Sequence, residues 1–158
     1  MKLYLTKIPA QFPKRWQQDL KRHYFRYQIR SDRFHSTEPE YNGLSDFLSV
    51  DGWVFDVEPN IGHYIKRFSE LVGKSRRVFA FDSVPETFEL LAANLACLQE
   101  INVTLLNVAA SDSARDLSME IPRFESDRAN YYVAQLAPGS AALEATARRL
   151  AARCSSNR

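Results

Sequence analysis

The sequence predicts an α/β fold on a parallel sheet. Three short apolar runs, Trp53–Val57, Val78–Phe81 and Val103–Ala110, read as buried strands. Two helical patterns lie between them, Tyr64–Val72 and Pro85–Leu98. The order β-α-β-α-β requires right-handed crossovers and a parallel sheet.

The elements follow in chain order. Up to Arg30 the basic residues are Lys2, Lys7, Lys14, Arg15, Lys21, Arg22, Arg26 and Arg30, against Asp19 alone. Trp16, Leu20, Tyr24 and Tyr27 are spaced like one helical face, whereas Phe25, Tyr27 and Ile29 alternate with polar residues. Together they predict a short helix followed by a strand. Residues 31–43 are polar and rich in turn formers, hence a loop. A short helix is expected over Tyr41–Leu48, and Asp51-Gly52 marks a turn. After the first strand, Glu58-Pro-Asn-Ile-Gly62 is a turn, and Tyr64, Ile65, Phe68, Leu71 and Val72 form a helical face stopped by Gly73. Pro85 suits a first helical turn, and Phe88, Leu91 and Leu95 share one face of the next helix. Beyond Ser111, Leu117, Met119 and Ile121 alternate as one further strand. Residues 123–135 are irregular, and the Ala/Arg-rich run 141–152 predicts a helix. The organisation expected is a basic, aromatic lead-in over 1–50, a β-α-β-α-β unit over 51–122, and an irregular segment with a helical tail over 123–158.

Composition narrows the function classes. The 158 residues are 45% hydrophobic and 25% charged, enough for one domain with a real core. Twenty-one basic residues against 19 acidic ones give a formal +2, which demands neither nucleic acid nor a membrane. No apolar run approaches the roughly 20 residues of a membrane span. The start breaks at Lys7 and Pro9, too early for a secretory apolar region. Two cysteines, Cys97 and Cys154, make no disulfide framework, so a reduced, cytoplasmic protein is expected. His23, His35 and His63 show no metal-ligand spacing, and no metal is expected. Arg22, Arg26 and Arg30 with Tyr24, Phe25 and Tyr27 would suit nucleic acid. The lead-in is nevertheless expected to be an amphipathic element packed on the sheet with its charges in water. The acidic loop Glu38–Asp46 also argues against a continuous phosphate-tracking face, so nucleic acid is not expected as a partner.

Ligands of such sheets bind outside the carboxyl ends of the strands. Those ends carry Asp56, then the turn 58–62, and Asp82. Asp82 lies 20 residues past Gly62, a spacing at which an acid can accept both ribose hydroxyls of an adenosine cofactor. The plainer alternative is that Asp82 caps the Pro85 helix. A dinucleotide fingerprint G-x-G-x-x-G is absent.

Four segments carry a resemblance. With small residues at Glu58 and Pro59, the turn D-V-E-P-N-I-G would read D-V-G-A-N-I-G. Glu38-Pro-Glu-Tyr41, Val78–Asn94 (VFAFDSVPETFELLAAN) and Asn102–Asp112 (NVTLLNVAASD) accompany it in order. Over roughly residues 31–121 the chain resembles S-adenosylmethionine-dependent methyltransferases of the FkbM type. The resemblance implies a Rossmann-like class I core, with S-adenosylmethionine as cofactor. Asp56 and Gly62 would bracket the turn that receives the methionine end, with Asn60 inside it. Asp82 would hold the ribose, Ser83 and Val84 would flank the adenine, and Ala109 to Asp112 would line its other side. The activity implied is O-methylation of a small molecule or sugar, with no base that the sequence names.

Two departures bear on that reading. Glu58 cannot take positive φ cheaply, Pro59 biases it toward an extended conformation, and its carboxylate would face that of the cofactor. The family's sheet has seven strands, and its later I-D-V-E-G motif does not occur here. The expectation is a core truncated after the third or fourth strand, with self-association through an exposed sheet edge. The alternative function is a catalytically silent fragment acting as an interaction module.

Overall fold

The structure, a computed structural model, describes residues 13–48, 52–98, 102–111, 115–120, 135–136 and 143–149. The elements are α1 (Lys14–Arg30), α2 (Pro39–Phe47), β1 (Val54–Val57), α3 (His63–Val72), β2 (Val78–Phe81), α4 (Pro85–Leu98) and β3 (Val103–Leu106), followed by four strands. These are β4 (Ala109–Ser111), β5 (Arg115–Glu120), β6 (Gln135–Leu136) and β7 (Leu143–Arg149). The first three strands form a parallel sheet in the order β1-β2-β3, the Rossmann-like β-α-β-α-β arrangement expected. A second sheet has the order β4-β7-β5-β6.

Side-chain alternation sorts the first sheet into two faces. Val54, Val78 and Val103 are in register, as are Asp56, Ala80 and Leu105. Apart from the acid, these residues meet Ile65 and Val72 of α3 and Leu91 and Leu95 of α4 in one core. Both crossover helices cover the same face, as successive right-handed crossovers in one direction must. The other face carries Phe55 and Phe79, stacked with ring centroids 5.3 Å apart, and Trp53, 5.6 Å from Phe79. Trp53, Phe55 and Val57 remain 60%, 57% and 52% exposed.

A buried polar lock joins α3 to β3. Ser69 Oγ donates to Asn102 Oδ1, and Asn102 Nδ2 donates to the Ser69 carbonyl at 3.1 Å and the Gly73 carbonyl at 2.9 Å. Gly73, at φ +74°, ends α3 where its last carbonyls are taken by this amide.

Three sequence expectations are corrected. Residues 25–29 are not a strand but the continuation of α1. Phe25 and Ile29 lie one helical turn apart, Phe25 is buried against Phe34, and Arg22 reaches Glu89 of α4 at 3.3 Å. The helix packs on α4, and that tertiary contact outweighs a short alternation. Its exposed large side chains are Trp16, Leu20 and Tyr27. Second, Val103–Ala110 is not one strand. It stops at Leu106, where Asn107 Nδ2 donates to the Asp82 carbonyl at 2.7 Å, and resumes as β4 in the other sheet. Third, the run 141–152 contains no described helix. Leu143–Arg149 is β7, antiparallel to β5 with Met119 opposite Leu143 and Leu117 opposite Ala145. Leu143, Ala145 and Ala147 alternate with Glu144, Thr146 and Arg148, and pairing with β5 favours this period of two over alanine's helix propensity.

Candidate functional site at the carboxyl ends of β1 and β2

Strand register brings the two acids predicted from sequence to one end of the sheet. Asp56 is opposite Ala80, and Asp82 follows Phe81 directly. The turn between β1 and α3 crosses that end, with the Glu58 N–H donating to the Phe81 carbonyl at 2.8 Å. Glu58 stands at φ +61°, Asn60 at +56° and Gly62 at +95°. The expected extended conformation of Glu58 is therefore corrected. The residue takes the left-handed conformation that glycine would take freely, although proline follows it. It is held there by the strand hydrogen bond before Pro59 and by the Gly62 N–H, which donates to the Pro59 carbonyl at 3.0 Å. Non-glycine residues in this region cost about 1–2 kcal/mol, so surrounding contacts enforce the conformation.

Helix α4 supplies those contacts from below. Asn94, buried in the helix, donates through Nδ2 to the Ile61 carbonyl at 3.0 Å. A Cβ on Gly62 would lie 2.9 Å from Leu91 Cδ1, so the turn sits directly on the helix. A side chain there would have to displace Leu91, and the φ of +95° would strain any residue but glycine. The placement of Asn94 as a support of this turn was missed in the sequence. Its signal was a lone amide among the apolar positions of α4.

The carboxylates differ in environment. Asp56 lies on the helix-covered face. Its Oδ2 is buried without a hydrogen-bond partner among the described residues, and burial pushes its carboxyl up to about 6. Asp82 is 4% exposed, and its Oδ1 accepts from the Val84 N–H at 2.9 Å and the Thr87 hydroxyl at 2.6 Å. Burial raises its pKa, these two bonds oppose the rise, and the Glu58 charge adds to it. Through one oxygen Asp82 ties the residue before α4 to the Thr87 side chain in the helix's first turn, a partner that the sequence did not single out. It accepts from no backbone N–H of the helix among the described residues. No lysine or arginine among the described residues forms an ion pair with Asp56, Glu58 or Asp82.

The remaining predicted positions fall as follows. Ser83 and Val84 are buried in the link from β2 to α4. Ala109 opens β4, past the carboxyl end of β3. Asp112 lies outside the described residues. Glu38 of the E-P-E-Y segment accepts the Tyr64 hydroxyl at 2.6 Å, which pushes that phenol up to about 12. Tyr41 meets the Tyr64 ring edge-on at 5.4 Å, so this lead-in braces the start of α3. His63, the first residue of α3, has its ring 4.4 Å from that of Phe34.

The donor set can be tested against an adenosine cofactor with a cationic end. A buried carboxylate oxygen lacking a donor suits a ligand ammonium, and Asp56 supplies one. A turn with three positive-φ residues brings backbone close to a ligand, and a carboxylate at the end of β2 suits a ribose. The residues fit, with Glu58 as the one group of unfavourable charge for a carboxylate-bearing ligand.

No family profile matches this chain, and no curated protein matches it. Among solved structures, it is similar to a protein of Clostridium thermocellum provisionally named an rRNA methylase. The two share 23% identity at a TM-score of 0.40, over 47% of this chain and 42% of that one. The alignment spans less than half of the solved protein. Among the described residues no helix is long and apolar enough to cross a membrane.

Proposed function

We propose that the chain binds S-adenosylmethionine at the carboxyl ends of β1 and β2 and serves methyl transfer in the manner of the FkbM-type enzymes it resembles. The observation that carries this reading is the turn 58–62. It holds the backbone of a glycine-rich ligand turn without two of the small residues that make such a backbone easy. In the proposal Asp82 accepts the ribose hydroxyls through the oxygen not engaged by Thr87, Asp56 accepts the ligand ammonium, and Asn60 and Gly62 present backbone. Ser83 and Val84 flank the adenine, with Ala109 and Asp112 on its other side. When bound, the cofactor supplies an electrophilic methyl on a sulfonium. A hydroxyl of a small molecule or sugar is the acceptor that the resemblance supports.

Calorimetry with S-adenosylhomocysteine tests the reading, using the wild type and Glu58→Gly. The substitution removes a carboxylate facing that of the ligand and places glycine at φ +61°. Binding is expected to strengthen about tenfold at low salt, about 1.4 kcal/mol. Thermal stability is expected to rise by about 1 kcal/mol, since strain relief exceeds the added freedom of the unfolded chain. Equal or weaker binding by a folded variant would remove this turn from the cofactor site.

A second reading, an interaction module without catalysis, is favoured by one observation. The Val54 and Glu58 N–H groups bond to β2, which leaves the backbone groups of Phe55 and Val57 on the side of β1 that pairs with no strand among the described residues. That edge adjoins the exposed Trp53, Phe55 and Val57 side chains. Sedimentation across a concentration series separates the readings. Self-association without any S-adenosylhomocysteine binding would favour the module.

A further inference from the structure

We infer that the outward face of α1 binds single-stranded nucleic acid, an assignment independent of the cofactor reading. The sequence disfavours this partner, both because the lead-in reads as an amphipathic element packed on the sheet with its charges in water and because the loop Glu38–Asp46 is acidic. The structure turns Trp16 and Tyr27 outward, 59% and 54% exposed, with Phe25 taking the buried position instead.

Each exposed ring has an exposed arginine beside it in sequence, Arg15 before Trp16 and Arg26 before Tyr27. Arg30 lies one turn beyond Arg26 and is also exposed. None of these three arginines forms an ion pair with a described residue. Asp19, the one acid of the helix, faces Arg22 at 3.6 Å. The face is therefore cationic. Through Arg30 the chain carries eight basic residues against one acidic residue, while the whole protein carries only +2.

At 3.6 residues per turn, residues eleven apart fall within about 20° of each other and about 16 Å apart along the axis. Trp16 and Tyr27 are thus two ring platforms on one line. Arginine forks bind phosphates, and aromatic faces stack bases of any identity, so alternating the two suits a flexible single strand. A bilayer fits less well. Arg30 lies within about 40° of Trp16 around the helix, so lowering the rings into acyl chains would carry its charge with them. Leu20 adds one apolar group, which leaves the apolar stripe narrow.

The test is fluorescence anisotropy of the full chain with a short labelled oligouridylate over a salt series, beside flotation with phosphatidylserine–phosphatidylcholine vesicles. Three phosphate contacts predict a slope of log affinity against log salt near about −2, and Arg26→Gln or Arg30→Gln should each reduce its magnitude by about 0.7. Trp16→Ala and Tyr27→Ala should each weaken binding about tenfold with the slope unchanged, and Trp16→Phe should recover most of the loss. Lys74→Gln, in the exposed turn after α3, should change nothing. If an alanine variant unfolds, the two arginine variants, which leave the buried Phe25 face intact, decide the outcome. Absence of oligonucleotide binding at low salt would overturn the assignment, as would binding indifferent to the α1 changes. So would vesicle binding that falls with Trp16→Ala while the oligonucleotide remains unbound.

Discussion

Asp82→Ala is expected to abolish S-adenosylhomocysteine binding and to lower stability by about 2–3 kcal/mol. The stability loss comes from the β2–α4 link. The carboxylate accepts from the Val84 N–H and the Thr87 hydroxyl, and alanine leaves the buried Val84 N–H without that acceptor. Hydrogen bonds to a charged group contribute about 1.5–3 kcal/mol each, and the carboxylate's own burial, which raises its pKa, offsets part of their sum. Loss of binding alone would therefore not separate a ribose contact from a damaged link. Asp82→Asn separates them, because its carbonyl can still accept from Val84 while one oxygen becomes a donor. The expected result is a melting temperature near that of the wild type with affinity reduced at least tenfold. Unchanged affinity in Asp82→Asn would reduce Asp82 to a brace of the β2–α4 link and withdraw the ribose contact.

Asp56→Asn is expected to stabilise the protein at neutral pH and to flatten its stability profile between about pH 4 and 6. The ordinary carboxyl value of 3.8 is raised to about 6 by burial. Below 3.8 the acid is neutral in both folded and unfolded chains and carries no penalty. Between 3.8 and about 6 the unfolded chain ionises while the folded one keeps its proton, so stability falls as pH rises. Above about 6 the full cost of a buried charge persists. At about 1.36 kcal/mol per pH unit, that cost has a ceiling of about 3 kcal/mol. An amide of the same shape avoids it, so denaturant melts at pH 7 should show a gain of about 2 kcal/mol that vanishes near pH 4. The same substitution should weaken S-adenosylhomocysteine binding, since a neutral amide attracts an ammonium poorly. A stability gain without any loss of affinity would leave Asp56 outside the ligand site. Equal stabilisation at both pH values would show that its charge carries no cost.

A buried acid whose pKa is raised by burial, beside a turn in a conformation that glutamate disfavours, is the pattern expected where a site is maintained at the expense of stability. Both features lie at the carboxyl ends of β1 and β2. The support of the turn by Asn94 and Leu91 explains how the backbone keeps its form without glycine at position 58.

The amino-acid sequence by itself determined the β-α-β-α-β order and the position of the two acids. Short apolar runs alternating with amphipathic helices admit one kind of packing, and one acid interrupts the first run while the other ends the second. Glycine at positions 62 and 73 likewise marked the beginning and end of α3 through backbone freedom alone. Tertiary structure decided what local pattern left ambiguous. Tyr27 belongs both to the alternating set Phe25, Tyr27 and Ile29 and to the helical set Trp16, Leu20, Tyr24 and Tyr27, and packing on α4 selects the helix. Leu143–Arg149 could be an alanine-rich helix until β5 offers an antiparallel partner. Glu58 would be extended before proline in an isolated chain. Its left-handed conformation exists because the end of β2 and the body of α4 fix the turn on both sides, and no pattern within residues 56–62 encodes those distant contacts.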